Sequence, residues 1–233
     1  MLSSDLLSKL ATFDTPTICN ALEVIDPAFR SSGFTQRPLV CPFPDLPAFV
    51  GYARTATIRA THPSELPGQD ARNQRLGYYE YIASGGPIPS VTVIQDLDGA
   101  DVGFGCFWGE VQSNVHKGLG SVGVVTDGSV RDIPQWASGL PVLAGSIMPS
   151  HAHVHLADYG KEIRVSGMVV KSGDLVHGDQ HGAVIIPEAL AEKIPDAVGV
   201  LERKEAVILD LARAPGFTFE KLRDALQKQE EIH

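Results

Sequence analysis

At 233 residues with 43% hydrophobic side chains, the chain can bury a full hydrophobic core, and its ordinary composition argues against disorder. Its 28 acidic against 19 basic residues leave a formal net charge of −9, which repels phosphate backbones and anionic lipid, so neither nucleic acid nor a membrane is expected as a partner. Three scattered cysteines (Cys19, Cys41, Cys106), with no CxxC, exclude a disulfide framework and a thiolate zinc site.

In chain order, Leu2–Phe13 has apolar residues at helical spacing, Asp14 and Thr15 offer a cap, and Pro16 suits the first turn of a second helix through Val24. The stretch from Asp26 to Phe49 is rich in Pro, Gly and Ser. It reads as a loop, and its length makes it either functional or packed against a neighbouring subunit. Gly51–Ala60 alternates as a strand, Ala71–Ala83 reads as a helix, and Ser90–Asp96 as a compact apolar strand. A Gly-rich passage follows, then a helix over Gly109–Lys117, a buried strand over Val122–Thr126, a short helix over Ile133–Ser138 and a strand over Pro141–Ala144. Three β segments, Val165–Val170, Asp174–Val176 and Ala183–Ile186, precede a long helix from Pro187 to about Ala212, with Pro195 as a kink candidate. A terminal helix over Phe219–Gln229 is capped by Thr218. No period of 20–50 residues repeats. The pattern predicts an α/β fold with a mixed sheet, residues 1–233 forming one domain.

The terminus Met1–Leu10 lacks the basic start and unbroken apolar run of a signal peptide, and no stretch approaches the ~20 apolar residues of a membrane helix. A soluble, cytoplasmic protein is expected.

The segment Asp127-Gly128-Ser129-Val130-Arg131-Asp132 follows a buried strand, where open α/β sheets place ligands. Arg131 can fork onto a carboxylate and Asp132 can give a divalent cation a hard oxygen; equally, the segment reads as a solvated turn with a local ion pair. Upstream, Gly109 introduces a helix whose first amides lack internal partners, an anion site in waiting. Glu110 in that first turn either takes part in chemistry or only favours the helix dipole. His151, His153 and His155 alternate as if on one strand face, but a single strand rarely supplies three zinc ligands, and a polar sheet edge or interface is the plainer reading. His177 and His181 fall in a turn between strands, where capping of backbone groups is the plainer role. There is no H-E-x-x-H, G-x-S-x-G or Walker loop, no glycine-rich S-adenosylmethionine loop, and Gly103-Phe-Gly105 does not continue into a dinucleotide fingerprint.

Taken together, Trp108-Gly109-Glu110 and the run from Gly120 through Asp132 resemble the RraA-like family, which contains 4-hydroxy-4-methyl-2-oxoglutarate and 4-carboxy-4-hydroxy-2-oxoadipate aldolases as well as regulators of ribonuclease E activity. The flanks agree at Asp14-Thr-Pro-Thr-Ile18, Gly51-Tyr-Ala-Arg-Thr-Ala56 and Gly182–Pro187, so the likeness covers roughly residues 10 to 210. The resemblance implies a swivelling β/β/α fold with C-terminal helices, assembled as a homotrimer or hexamer with active sites between subunits. It implies a class II, metal-dependent pyruvate aldolase using Mg²⁺ or Mn²⁺ on 4-hydroxy-2-oxo acids, with oxaloacetate decarboxylation as a side activity.

Carried over by position, Asp132 is expected to bind the metal, Glu110 to reach it through water, and Arg131 to hold the pyruvyl group and stabilise its charge. Gly109, Val111 and Gln112 are expected to receive the substrate carboxylate through their backbone, and Glu205 of a neighbouring subunit to reach the metal through water. Asn20 stands where the aldolases carry a carboxylate, and His181 where many carry Asp; both are expected to contact the substrate's far end. The Pro38–Pro47 segment reshapes the entrance. The alternative within the same resemblance is a non-catalytic, protein-binding regulator of a ribonuclease, which predicts that Asp132→Ala is tolerated.

Overall fold

A computed structural model describes residues 1–230. Two helices open the chain, α1 (Ser4–Leu10) and α2 (Thr15–Ile25). Asp14 caps α2 as expected, its carboxylate accepting the Thr17 amide at 2.8 Å, with Pro16 in the first turn. The long loop after α2 is stitched to its own chain: Thr35 N–H donates to Ala183 O, Gln36 N–H to Ser166 O, and Val40 N–H to Ala144 O. Those bonds give its backbone partners without regular structure beyond one 3₁₀ stretch, Pro27–Ser31.

β1 (Phe49–Arg59) then crosses the molecule, buried along nearly its whole length, and is followed by α3 (Gly68–Ser84) and β2 (Ser90–Asp96). Next come β3 (Cys106–Trp108), α4 (Glu110–Gly118), β4 (Ser121–Thr126), β5 (Ser129–Val130), β6 (Val142–Leu143) and β7 (Ser146–Ile147). The chain continues through β8 (His155–Tyr159), β9 (Ile163–Val165), β10 (Met168–Val170), β11 (Leu175–Asp179) and β12 (Gly182–Ile186), and ends in α5 (Ile194–Arg213) and α6 (Phe219–Glu230).

The main sheet runs β12-β11-β1-β2-β4-β6. β1, β2, β4 and β6 are parallel, while β11 pairs antiparallel with the first half of β1 and β8 with its second half, past a bulge at Thr57/Ile58. The sheet is therefore mixed, as the element pattern predicts. Its parallel strands are buried on both faces because both faces are covered, and they carry buried polar side chains such as Arg54, Thr55 and Thr92 among the apolar ones. On one side α1, α2 and α5 bury Leu10, Ile18, Leu22 and Ile194 against Tyr52, Val184 and Ile186. A second cluster joins Ile58 and Ile94 to Trp108, Trp136, Tyr78 and Ile82. A third packs Val91, Val93 and Leu143 under the β9–β10 hairpin.

Three expectations need correction. Val165–Val170 is the inner part of a hairpin, not one strand: Ser166 and Gly167 take φ of +47° and +92°, the left-handed pair that a two-residue turn requires. Pro195 does not kink a long helix; residues Glu188–Lys193 are 3₁₀, and Pro195 sits in the first turn of α5, where its missing N–H costs nothing. The helix expected over Ile133–Ser138 is a 3₁₀ turn of Ile133–Gln135 only.

Candidate active site

A second, small parallel sheet, β3-β5-β7, carries the candidate residues. The chain reaches it from the main sheet through Asp127-Gly128, after which Ser129 and Val130 pair with Cys106 and Trp108 on one side and Ser146 and Ile147 on the other. The crossing is crowded: a Cβ on Gly145 would lie 2.0 Å from the Asp127 carbonyl oxygen, and Gly145 N–H donates to Gly128 O at 2.9 Å.

Where β3 and β5 end, their continuations meet. Arg131 N–H donates to Trp108 O at 3.0 Å, which sets Arg131-Asp132 beside Gly109-Glu110. Gly109 is in extended backbone, so no special φ demands glycine here; close approach does. A Cβ would fall 2.5 Å from Asp132 Oδ2 and 3.3 Å from Arg131 Cγ. Asp132 itself is left-handed, φ 55° and ψ 41°, a region in which Asp is among the few tolerated side chains. That conformation turns the chain into the 3₁₀ turn and leaves the carboxylate over the start of α4. Its Oδ2 accepts the Glu110 N–H at 3.3 Å and lies 3.4 Å from Arg131 Nε.

The carboxylate is 41% exposed and the Arg131 side chain 33%, so both reach solvent from a fixed base. The Nη1 and Nη2 atoms of Arg131 have no hydrogen-bond partner among the described residues, its Nε alone lying near Asp132. The amides of Val111 and Gln112, in the first turn of α4, likewise lie beyond the reach of intrahelical bonding. Glu110 is exposed at the helix start. Thus Gly109, Glu110, Val111, Gln112, Arg131 and Asp132 come together as expected, with a cation, a carboxylate pair and free backbone donors on one rim.

Behind this rim lies a support that the sequence reading missed. Gln112 Oε1 accepts the Tyr79 hydroxyl at 3.0 Å, while His116, fully buried, lies with Nδ1 2.7 Å from Gln112 O and Nε2 2.7 Å from the Tyr78 hydroxyl. Burial drives His116 down to about 4, outweighing the opposing backbone bond at Gln112. The ring is therefore neutral, Nδ1–H donating and Nε2 accepting. Ser113 Oγ donates to Glu110 O at 3.0 Å and accepts the Ala137 amide, tying α4 to the turn that follows Asp132. The signal was the i, i+4 spacing of Gln112 and His116, which aligns them on one helix face.

Asp127 points elsewhere. Its Oδ1 accepts the Asp96 amide at 2.8 Å, and burial raises its carboxyl to about 6. It lines a different cavity with Asp96, Arg37 and Arg164.

Asn20, Glu205 and His181 are not brought to Asp132 within the chain. Asn20 and Glu205 share a cavity of about 410 Å³ with Asp14, Thr17 and Glu202, and His181 lines a neighbouring one of about 320 Å³ across Thr12–Asp14. Neither cavity is lined by any residue from 109 to 132. His177 is not in a turn: it sits inside β11, fully buried, within 3.1 Å of Thr15 Oγ1 and 3.0 Å of Phe13 O. Of the alternating histidines, His155 opens β8 at the sheet edge, and no group of three or more His, Cys, Asp or Glu suited to a metal occurs among the described residues. Nor is any described helix long and apolar enough to cross a membrane.

An uncharacterized protein of Methanocaldococcus jannaschii is 32% identical over 122 residues, 51% of this chain and 56% of that one. A putative 4-hydroxy-4-methyl-2-oxoglutarate aldolase of Halalkalibacterium halodurans is 28% identical over 88 residues, 37% of this chain and 42% of that one. These matches thus span about half the length of each relative. Among solved structures, Streptomyces coelicolor RraAS2, described as an unusual member of the RNase ES inhibitor RraA protein family, superposes with a TM-score of 0.67 at 22% identity, over 88% of this chain and 95% of that one. The family model RraA-like, described as Aldolase/RraA, matches residues 15–185, and the chain belongs to that family.

Proposed function

We propose that the protein is a divalent-metal-dependent lyase that cleaves 4-hydroxy-2-oxo acids to release pyruvate, and that it decarboxylates oxaloacetate through the same enolate. The observation that carries this reading is the convergence of the Asp132 carboxylate, the Arg131 guanidinium and the free first-turn amides of α4 on one exposed rim.

The donor set suits a hard cation that keeps most of its water. Asp132 offers carboxylate oxygens whose hydrogen-bonding neighbours are Arg131 and one amide, and Glu110 stands at the helix start, while the nearby Cys106 thiol is buried and donates to Met148 O. That chemistry fits Mg²⁺ or Mn²⁺ rather than zinc. Asp132 would hold the cation directly, Glu110 through water, and Glu205 of a neighbouring copy through water. A divalent cation there supplies Lewis acidity, polarising the 2-oxo group as the enolate forms.

The chain's own groups do the rest. The amides of Val111 and Gln112, aided by the positive end of the helix, hold the 2-oxo acid's carboxylate. Arg131 presents its unengaged Nη atoms to the oxygen on which negative charge develops, where a fixed donor does most. Scission of the bond between C3 and C4 leaves the enolate of pyruvate, and protonation at C3 completes the product.

The test is pyruvate release coupled to lactate dehydrogenase, on oxaloacetate and on a 4-hydroxy-2-oxo diacid. Activity should vanish with chelator, return with Mg²⁺ or Mn²⁺, and fall at least about 100-fold in Asp132→Ala and Arg131→Ala. Turnover indifferent to chelator would sink the reading. The resemblance to RraAS2 supports a second reading, a protein-binding regulator of a ribonuclease. Tight partner binding that survives Asp132→Ala, in a chain without lyase activity, would favour it.

A further inference from the structure

A cavity of about 530 Å³ opens where the end of β1, the start of β8 and α3 meet, and no residue from 109 to 132 lines it. It is larger than the cavities beside Asn20 and His181 and falls within the roughly 300–1,000 Å³ of small-molecule sites. The chemistry proposed for the Arg131–Asp132 rim makes no use of it.

Its polar end is built on a cross-strand pair. Arg59 and His155 stand directly opposite in the β1–β8 ladder, so their side chains leave the sheet on one face, with Cβ atoms about 5 Å apart. Arg59 is steered from behind. Its Nη1 donates to Leu97 O at 3.1 Å and lies 3.6 Å from Oδ1 of Asp98, whose side chain is only 1% exposed. Asp98 is fixed in turn, its Oδ2 accepting the Ala60 amide at 2.6 Å and the Thr61 amide at 3.0 Å. The Nε and Nη2 atoms of Arg59, one whole edge of the guanidinium, have no hydrogen-bond partner among the described residues. The side chain facing Arg59 across the ladder is an imidazole set by its Nδ1, 2.9 Å from His153 O, and not a carboxylate. β8 therefore leaves that edge uncompensated.

Carbon surface completes the lining. Pro63 and the exposed Leu66 come from the loop between β1 and α3, and Leu156 from β8. The wall is held together by Gln74 of α3, whose Nε2 donates to Ala157 O at 2.9 Å. These features select among ligands. A cation finds little to bind, because the Asp98 carboxylate is taken up by Arg59 and two amides, leaving only the exposed Glu65. A multiply charged anion is poorly matched, because Arg59 and the neighbouring His62 are set against Asp98 and Glu65. One planar edge with two donors matches one carboxylate, held bidentately, and the apolar lining covers a carbon skeleton.

We propose that this cavity binds a small monocarboxylate with an apolar body, its carboxylate on the Nε–Nη2 edge of Arg59 and its carbon skeleton against Pro63, Leu66 and Leu156. The site is independent of the lyase reading, and its ligand is not the substrate of the rim.

Phenylacetate, acetate and inorganic phosphate are the probes, each titrated into the full-length protein and followed by amide NMR. Phenylacetate should shift the signals of Thr61, Leu66 and Ala157 saturably, whereas acetate, which lacks the apolar body, should bind at least about 10-fold more weakly. Phosphate should also bind at least about 10-fold more weakly than phenylacetate, for want of further donors. Arg59→Gln removes the fork and should weaken phenylacetate at least about 10-fold. That variant also strips the buried Asp98 of its ion pair, so Leu66→Asp supplies a second arm: it alters an exposed loop residue, should leave Tm unchanged, and should weaken phenylacetate by a similar factor. Absence of saturable shifts at these residues with phenylacetate overturns the proposal. So does acetate or phosphate binding as tightly as phenylacetate, or undiminished phenylacetate affinity in either variant when folded.

Discussion

Gly109→Ala puts the geometry of the rim to its sharpest test. The added Cβ would stand 2.5 Å from Asp132 Oδ2 and 3.4 Å from Arg131 Nε. Relief requires the carboxylate to retreat by about 1 Å, a misplacement of the size that costs roughly 100-fold in rate, or about 2.7 kcal/mol. The same substitution is mild for the fold. Gly109 has extended φ, and the atom in the way is the end of a rotatable side chain, so stability should change by less than about 1 kcal/mol, under about 4 °C in Tm. Coupled pyruvate assays alongside calorimetry read both quantities, and Mn²⁺ titration reports whether Asp132 still binds. A variant with wild-type kcat/KM and wild-type Tm would refute the idea that Asp132 must sit against Gly109 to function.

Other outcomes follow from the supports. Tyr78→Phe removes the donor to a buried His116 nitrogen and should cost about 1–3 kcal/mol in urea unfolding. Gly145→Ala drives a Cβ into backbone rather than a side chain, so a loss of at least about 3 kcal/mol, or failure to fold, is expected in a thermal melt. His116, held at about 4 in the fold, stays neutral while the unfolded chain protonates near its ordinary value of about 6.5; this contribution, roughly 3 kcal/mol, is present above that value and lost as pH falls toward 4. Asp127 acts in the opposite sense: raised to about 6, it binds its proton more tightly when folded, so its contribution is greatest in acid and fades as pH climbs through 6. Asp127→Asn should therefore steepen the acid loss of stability between pH 6.5 and 4, measured by urea titration; a profile unchanged from wild type would show that Asp127 does not titrate in that window.

What the sequence made legible tracks the length of each element. β1, β2, α3 and the helical layer show periodicity over seven or more residues, enough to read. The small sheet does not: β5 and β7 are two residues long and β3 three, too short for alternation to register, and their pairing depends on where the main sheet delivers Asp127-Gly128. For the same reason spacing alone could not tell the Asp127–Asp132 segment from a solvated turn; the family resemblance selected Arg131 and Asp132, and the Trp108 bond to Arg131 gives the physical reason they face Glu110. Tyr78, Tyr79 and His116 escaped notice because a helix face shows its partner only once the helices are packed. The fold gathers Asn20, His181 and Glu205, given separate roles by the resemblance, around Thr12–Asp14 and apart from Asp132.

The left-handed backbone at Asp132 also constrains what the lineage can record. Only Asp, Asn and Gly occupy that conformation readily, so the longer carboxylate of Glu is no conservative exchange there even though it could serve a cation equally well. On the proposed lyase reading, a descendant that gave up catalysis for another occupation would be expected to settle on Asn or Gly at this position rather than wander freely. The identity of one residue would then distinguish relatives still under selection for turnover from those that kept only the shape.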